Sequence, residues 1–169
     1  IFNIKADSVT TVGEYAFYHA INLRTVSLRG VVEIGNGAFD MGGSYNLYGL
    51  RNVYLSDKLE KIGREVFSGS CNIKCLVLPD CSLNIGTFCF DSQSIEYISG
   101  GKNAQYEQQA FVSCKNLRLV QLSEAMQYLP RGLFTDCTSL KKLYIPETCL
   151  GSKYNVTFLD IPQNQVTVY

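Results

Sequence analysis

Seven cysteines and a single histidine are the residues of this chain best equipped for chemistry. A cysteine nucleophile needs a base beside it, and a structural zinc needs four sulfur or nitrogen ligands at short spacings. The spacing Cys71-x3-Cys75 is not that of a usual zinc pair, and His19 cannot complete one. Ser139-Leu140-Lys141-Lys142 offers a Ser-x-x-Lys, but Leu140 and Leu143 claim that segment for a strand. Gly35-Asn36-Gly37 lacks the context of a phosphate-binding loop, and His19 reads as a surface turn residue. Asn155-Val156-Thr157 is a glycosylation sequon only in a eukaryotic source. The chain is therefore expected to be no enzyme and to carry no metal and no cofactor.

Composition narrows the field further. Lys+Arg and Asp+Glu each number 15 in 169 residues, so a net charge of zero exerts no pull toward nucleic acid, a membrane surface or an acidic substrate. A hydrophobic content of 46% excludes disorder. No apolar run approaches the ~18 residues of a membrane span. The chain opens on Ile1 with no basic-then-apolar segment, which reads as a processed product or an excised segment.

What positions these residues is a repeat. Anchoring on Phe17, Phe39, Phe67, Phe90, Phe111, Phe134 and, more loosely, Phe158 gives intervals of 22, 28, 23, 21, 23 and 24 residues. Five residues before each of the first six anchors stand Val12, Ile34, Ile62, Ile85, Tyr106 and Leu129, followed by Gly13, Gly35, Gly63, Gly86, Glu107 and Pro130. A small or apolar residue precedes each ring: Ala16, Ala38, Val66, Cys89, Ala110 and Leu133. After the ring comes L-x-x-V-x-L, as in Leu23/Val26/Leu28, Leu50/Val53/Leu55 and Leu117/Val120/Leu122, degraded to Ile95/Ile98/Gly100 in the fourth copy. The V-x-L alternation is a short strand. One such strand cannot bury its apolar side alone, but coils stacked at ~4.8 Å can. Right-handed crossovers between parallel strands then give a solenoid. The glycine slot is expected to let the backbone turn, and the small residue to make room for the ring. Phe2-Asn3-Ile4 looks like a leading half-coil, and Val166-x-Val168 like a closing strand. A stack cut on strands needs caps, so residues 1–169 are expected to be one domain, a fragment of a longer array.

Residues 8–17 (SVTTVGEYAF), 61–67 (KIGREVF), 71–79 (CNIKCLVLP) and 137–146 (CTSLKKLYIP) resemble the BspA-like leucine-rich repeats, across essentially the whole chain. Copies four and five depart at Gly100 and at Tyr106-Glu107. The resemblance implies a mainly β, leucine-rich-repeat right-handed solenoid of about seven short coils, with a parallel sheet on one face and short helical or irregular turns on the other. It implies a bacterial or protist cell-surface or secreted protein acting in adhesion, and it brings no catalytic residue.

The repeat also assigns places to thiols and charges. Cys114 and Cys137 share one slot, Cys71 sits one residue off it and Cys89 precedes a ring, so these read as buried thiols filling gaps. A Cys114–Cys137 bridge would need Cβ atoms closer than the coil spacing allows. Cys81 and Cys149 fall in corresponding turns on the order of 14 Å apart. Arg24, Arg51, Lys74, Arg118 and Lys141 form a basic rim along one border of the strand face, interrupted by Glu96. The opposite border carries Asp57, Asp80, Glu124 and Glu147, interrupted by Lys102. Both interruptions fall in the fourth copy, where they relieve like-charge repulsion.

Tyr54, Tyr97, Gln121, Lys142 and Tyr144 point out from the strands as candidate ligand contacts, and the insertion at residues 40–49 adds Tyr45 and Tyr48. The tyrosines of the face stand two coils apart and are not expected to form a continuous patch. The function expected is a non-catalytic binding or adhesion module, acting as a monomer on a host or matrix protein or glycan, without nucleic acid or membrane insertion. A spacer segment of a surface stalk and an intracellular repeat scaffold are the alternatives.

Overall fold

A computed structural model describes residues 2–43, 49–69, 72–150 and 167–168. The V-x-L positions form one series of strands: β1 (Asn3–Lys5), β3 (Thr25–Leu28), β5 (Asn52–Leu55), β7 (Cys75–Leu78), β9 (Tyr97–Gly100), β11 (Leu119–Gln121), β12 (Lys142–Tyr144) and β13 (Thr167–Val168). All are parallel, and apolar residues meet in register: Ile4 on Val26, Val26 on Val53, Leu76 on Ile98, Ile98 on Val120, Val120 on Leu143. Apart from Ile4, Val53 and Leu55, which are partly buried, the inward residues are almost fully buried while their neighbours face out, which is the alternation that made these segments strands. The result is a mainly β solenoid of about six turns with very little helix. Among the described residues the helix is a single turn, α1 (Glu147–Leu150).

The expectation of one sheet per coil needs extending. Two-residue strands β2 (Thr11–Val12), β4 (Glu33–Ile34), β6 (Lys61–Ile62), β8 (Asn84–Ile85) and β10 (Gln105–Tyr106) stack into a second parallel sheet. Its ladder continues through the glycine slot, where each N–H donates to the preceding coil: Gly35 to Val12 O, Gly63 to Ile34 O, Gly86 to Ile62 O and Glu107 to Ile85 O, at 2.8–2.9 Å. Pro130 occupies that slot next and has no N–H to give, and the sheet ends at β10.

The glycines serve close approach rather than turning. A Cβ on Gly63 would lie 2.8 Å from Asn36 N and 2.9 Å from Gly35 C, so successive coils touch backbone to backbone here. The turning is done two residues before each ring, where Tyr15, Gly37, Glu65, Phe88, Gln109 and Gly132 all have φ between 52° and 62°. That left-handed column brings every second N–H of the turn onto the next coil, as with Tyr15, Phe17 and His19 donating to Asn36, Ala38 and Asp40 carbonyls at 2.8–3.0 Å.

Inside, the anchors form one column. Phe17, Phe39, Phe67, Phe90, Phe111 and Phe134 stack with centroid spacings of 5.2, 5.9, 6.0, 5.2 and 5.2 Å and ring planes within 11° of parallel. Phe17, in the first coil, is only partly buried; the other five are fully buried. Phe158 and Cys71 lie outside the described residues.

Candidate binding face

The strands of the first series present two outward rows. One runs Asn3, Thr25, Asn52 and, beyond, Cys75, Tyr97, Leu119, Lys142; the other runs Lys5, Ser27, Tyr54 and, beyond, Val77, Ser99, with Gln121 and Tyr144 farther along. Tyr54, Val77 and Tyr97 are 49%, 67% and 40% exposed, and Cys75 is exposed beside them. Val77 and Cys75 stand exposed on the coil between the two tyrosines. Gln121 and Lys142 are exposed and Tyr144 is half-buried, farther along the face. Tyr45 and Tyr48 lie outside the described residues, so their expected partnership with Tyr54 has no structural description.

Both rows cross a discontinuity. β1, β3 and β5 form one sheet and β7, β9, β11, β12 and β13 another, and no backbone hydrogen bond joins β5 to β7 among the described residues. The same two coils are paired elsewhere: Lys61 and Ile62 of β6 sit on Asn84 and Ile85 of β8, and Phe67 stacks on Phe90. Among the described residues the coils are parted only on the face carrying the candidate ligand contacts.

Which groups this leaves unpaired follows from the ladder. In a parallel strand the N–H and C=O of alternate residues point to opposite neighbours. Asn52 N–H is spent on Arg24 O, and Lys74 O accepts from Glu96 and Tyr97 N–H. Asn52 and Tyr54 therefore face β3, and Leu76 and Leu78 face β9. Val53, Leu55, Cys75 and Val77 are left pointing into the opening. Val53 and Leu55 are partly exposed, whereas their counterparts Val26, Leu28, Leu76 and Leu78 are at most 1% exposed. The opening is a cleft of about 540 Å³, lined among others by Arg29, Arg51, Tyr54, Asp57 and Val77.

The charged rim is used unevenly. Glu96, at the interruption, takes Lys74 at 3.0 Å and Arg118 at 3.9 Å, and the Lys74 hydrogen bond holds its carboxyl below the usual glutamate range. On the other border Lys102 pairs with Asp80 at 3.5 Å. Arg24 donates to the carbonyls of Ile21 and Gly49. Arg51 and Lys141 form no ion pair among the described residues. Arg29, which the repeat did not single out, lies over the Tyr54 ring at 5.8 Å from its centroid. Its signal was its place, directly after Leu28 at the end of β3.

The thiols are partners of the backbone. Cys114 and Cys137 each donate to a phenylalanine carbonyl one coil back, Phe90 O at 2.7 Å and Phe111 O at 3.0 Å, and burial pushes the Cys114 thiol up. Cys81 donates to Leu59 O at 2.9 Å. Cys75, Cys81, Cys89, Cys114, Cys137 and Cys149 are all unbridged. His19 is exposed, its ring against Tyr18. No group of three metal-ligating side chains occurs among the described residues, and no described helix is long and apolar enough to cross a membrane.

Comparison with known proteins agrees with this geometry. The BspA type leucine rich repeat region matches in six copies, over residues 2–47 and 41–158. The chain belongs to that family. The leucine-rich-repeat protein of Treponema pallidum (T. pallidum) superposes with a TM-score of 0.68 at 26% identity, over 97% of this chain and 79% of that one. A leucine-rich-repeat protein of Bacteroides ovatus gives a TM-score of 0.44 at 18% identity, over 99% and 59% of the two chains. No curated protein matches the chain.

Proposed function

We propose that this chain is a non-catalytic binding module that recognises a protein or glycan through its strand face, centred on β5 and β7. The observation that carries this reading is the exposed run of Tyr54, Val77, Cys75 and Tyr97 around an open cleft. Amphipathic aromatics beside partly desolvated apolar groups are the side chains on which binding energy concentrates. The basic rim would steer and orient a partner more than hold it. Family membership supports a repeat scaffold, and adhesion at a cell surface is the form of binding we infer for it.

The test is a screen of matrix glycoproteins and glycans, followed by comparison of wild type with a Tyr54→Ala/Tyr97→Ala variant. Both rings are outward and substantially exposed, so folding should survive their loss. Affinity should fall at least ~30-fold, the scale of an aromatic hot spot. A partner that binds both proteins equally would place the site on the turn side. One observation favours an intracellular scaffold instead: the six described thiols are unbridged, as in a reducing compartment. Localising the full-length protein separates the two readings.

A further inference from the structure

The two charged borders of the strand face also indicate what can cover it. We infer that the face takes a second copy of this chain, sheet against sheet, about a two-fold axis that runs along the solenoid. The inference rests on the strand-face reading above and names a partner for that face, in place of the lone monomer expected from the sequence.

The pattern of signs selects both the partner and the axis. In the second, third, fifth and sixth coils a cation on one border stands across from an acid on the other, as with Arg51 and Asp57 or Lys141 and Glu147. In the fourth coil Glu96 and Lys102 reverse both signs. A two-fold axis along the solenoid reverses strand direction and keeps the order of the coils. Each coil then lies over its own counterpart, and its basic border lies over the acidic border of the second molecule. An axis along the strands would instead set basic border on basic border. Under the first operation the fourth coil fits as well as the rest, since Glu96 lies over Lys102 of the second molecule and Lys102 over its Glu96. Relief of repulsion within one column explains either reversal alone. Self-complementarity requires that both fall in one coil, as they do.

The borders and the centre are both suited to this. Arg51, Asp57, Glu124, Lys141 and Glu147 are exposed and form no ion pair among the described residues. The eight outward residues of β5, β7, β9 and β11 are all uncharged, with Tyr54, Val77 and Tyr97 exposed among them. An uncharged, partly aromatic centre inside a charged rim is the anatomy of a protein interface. A face about 20 Å wide and ~25 Å long over five coils offers on the order of 500 Å² per molecule, about 1,000 Å² in all, which just reaches the size of a specific interface. Val77 stands midway between Lys74 and Asp80 in its coil, so it lies nearest the axis, against Val77 of the second molecule.

Sedimentation equilibrium over a concentration series reaching ~300 μM tests this, because an interface of threshold size dissociates on dilution. Wild type should dimerise, with an affinity that falls as salt rises. Glu96→Lys sets cation over cation at two symmetric places and should weaken the dimer by at least ~10-fold. Adding Lys102→Glu restores opposite signs across the axis, so the double variant should return to within ~3-fold of wild type. It should do so although each of its own columns is then uniform in sign, an arrangement that intramolecular relief alone would penalise most. Val77→Cys in a Cys75→Ser chain should give a disulfide-linked dimer on mild oxidation with copper(II) phenanthroline, whereas the Cys75→Ser chain itself should not. Thermal melts establish that each variant is folded. A monomer at every concentration, indifference to Glu96→Lys, a double variant weaker than the single one, or no link through position 77 would each overturn the proposal. A foreign partner lost with Tyr54 and Tyr97 while wild type stays monomeric would overturn it too, and would leave the broader strand-face reading standing.

Discussion

Phe67 and Phe90 stack with their ring centroids 6.0 Å apart and their planes 6° from parallel, while the strands that follow Phe39 and Phe67 in the chain, β5 and β7, share no backbone hydrogen bond. The column of rings is continuous through the described coils, and its two longest steps, 5.9 and 6.0 Å, flank the ring of the coil that bears β5. The core therefore stays stacked at the coils whose strands β5 and β7 are parted.

The column should carry much of the stability. Phe111 is fully buried, 5.2 Å from both Phe90 and Phe134, so Phe111→Ala should cost about 3–5 kcal/mol. Phe17 is stacked on one side and partly exposed, so Phe17→Ala should cost clearly less. Denaturant titrations of the two variants check the order, and equal losses would mean that burial does not set the cost.

The glycine slot gives a paired contrast. Gly13→Ala has no heavy atom within 4 Å of the new methyl and should be nearly neutral, whereas Gly63→Ala drives it to 2.8 Å from backbone and should cost about 1–3 kcal/mol. Thermal melts compare them directly.

Tyr106 stands where the other early copies have Val or Ile, and its buried hydroxyl has no hydrogen-bond partner. Burial pushes its pKa up. Tyr106→Phe removes an unsatisfied polar group at almost no change in shape, so it should stabilise the fold by about 1 kcal/mol. A destabilisation of that size would reveal a partner for the hydroxyl.

Glu96→Gln should lower stability, and more at low ionic strength, because it removes contacts to Lys74 and Arg118. The folded-state pKa of Glu96 lies below its unfolded value, so its contribution is complete above the ordinary glutamate range and is lost as pH falls through the lower, folded value. The difference between wild type and variant should therefore shrink on acidification. A difference constant from neutral to acid pH would mean that the pair contributes nothing.

Much of this architecture is legible in the residues. The L-x-x-V-x-L offsets placed Val26 on Val53 and Val120 on Leu143, and the ring anchors placed the core column. Glu96 marked the break in the basic rim because its neighbours in register were all cations. Other features escape for physical reasons. A strand of two residues, such as Thr11–Val12, has no periodicity to read, so the second sheet is invisible in sequence. The left-handed turn column is filled by Tyr15, Glu65, Phe88 and Gln109, residues that do not announce a positive φ. The end of the second sheet was written in Pro130, but its meaning depends on knowing that the slot's N–H is spent on the previous coil. The cleft is least legible of all. Asn52–Leu55 and Cys75–Leu78 are as strand-like as any other pair, and their separation is a property of how the coils stack.

Hydrogen exchange at single-amide resolution tests the central claim most directly, because it reads the opening without any ligand. The amides of Val53, Leu55, Cys75 and Val77 should exchange near the unprotected rate, while those of Asn52, Tyr54, Leu76 and Leu78, one residue away and committed to β3 or β9, stay protected. Equal protection of the two sets would mean that β5 and β7 are zipped together, that the strand face is one continuous sheet, and that the binding cleft does not exist.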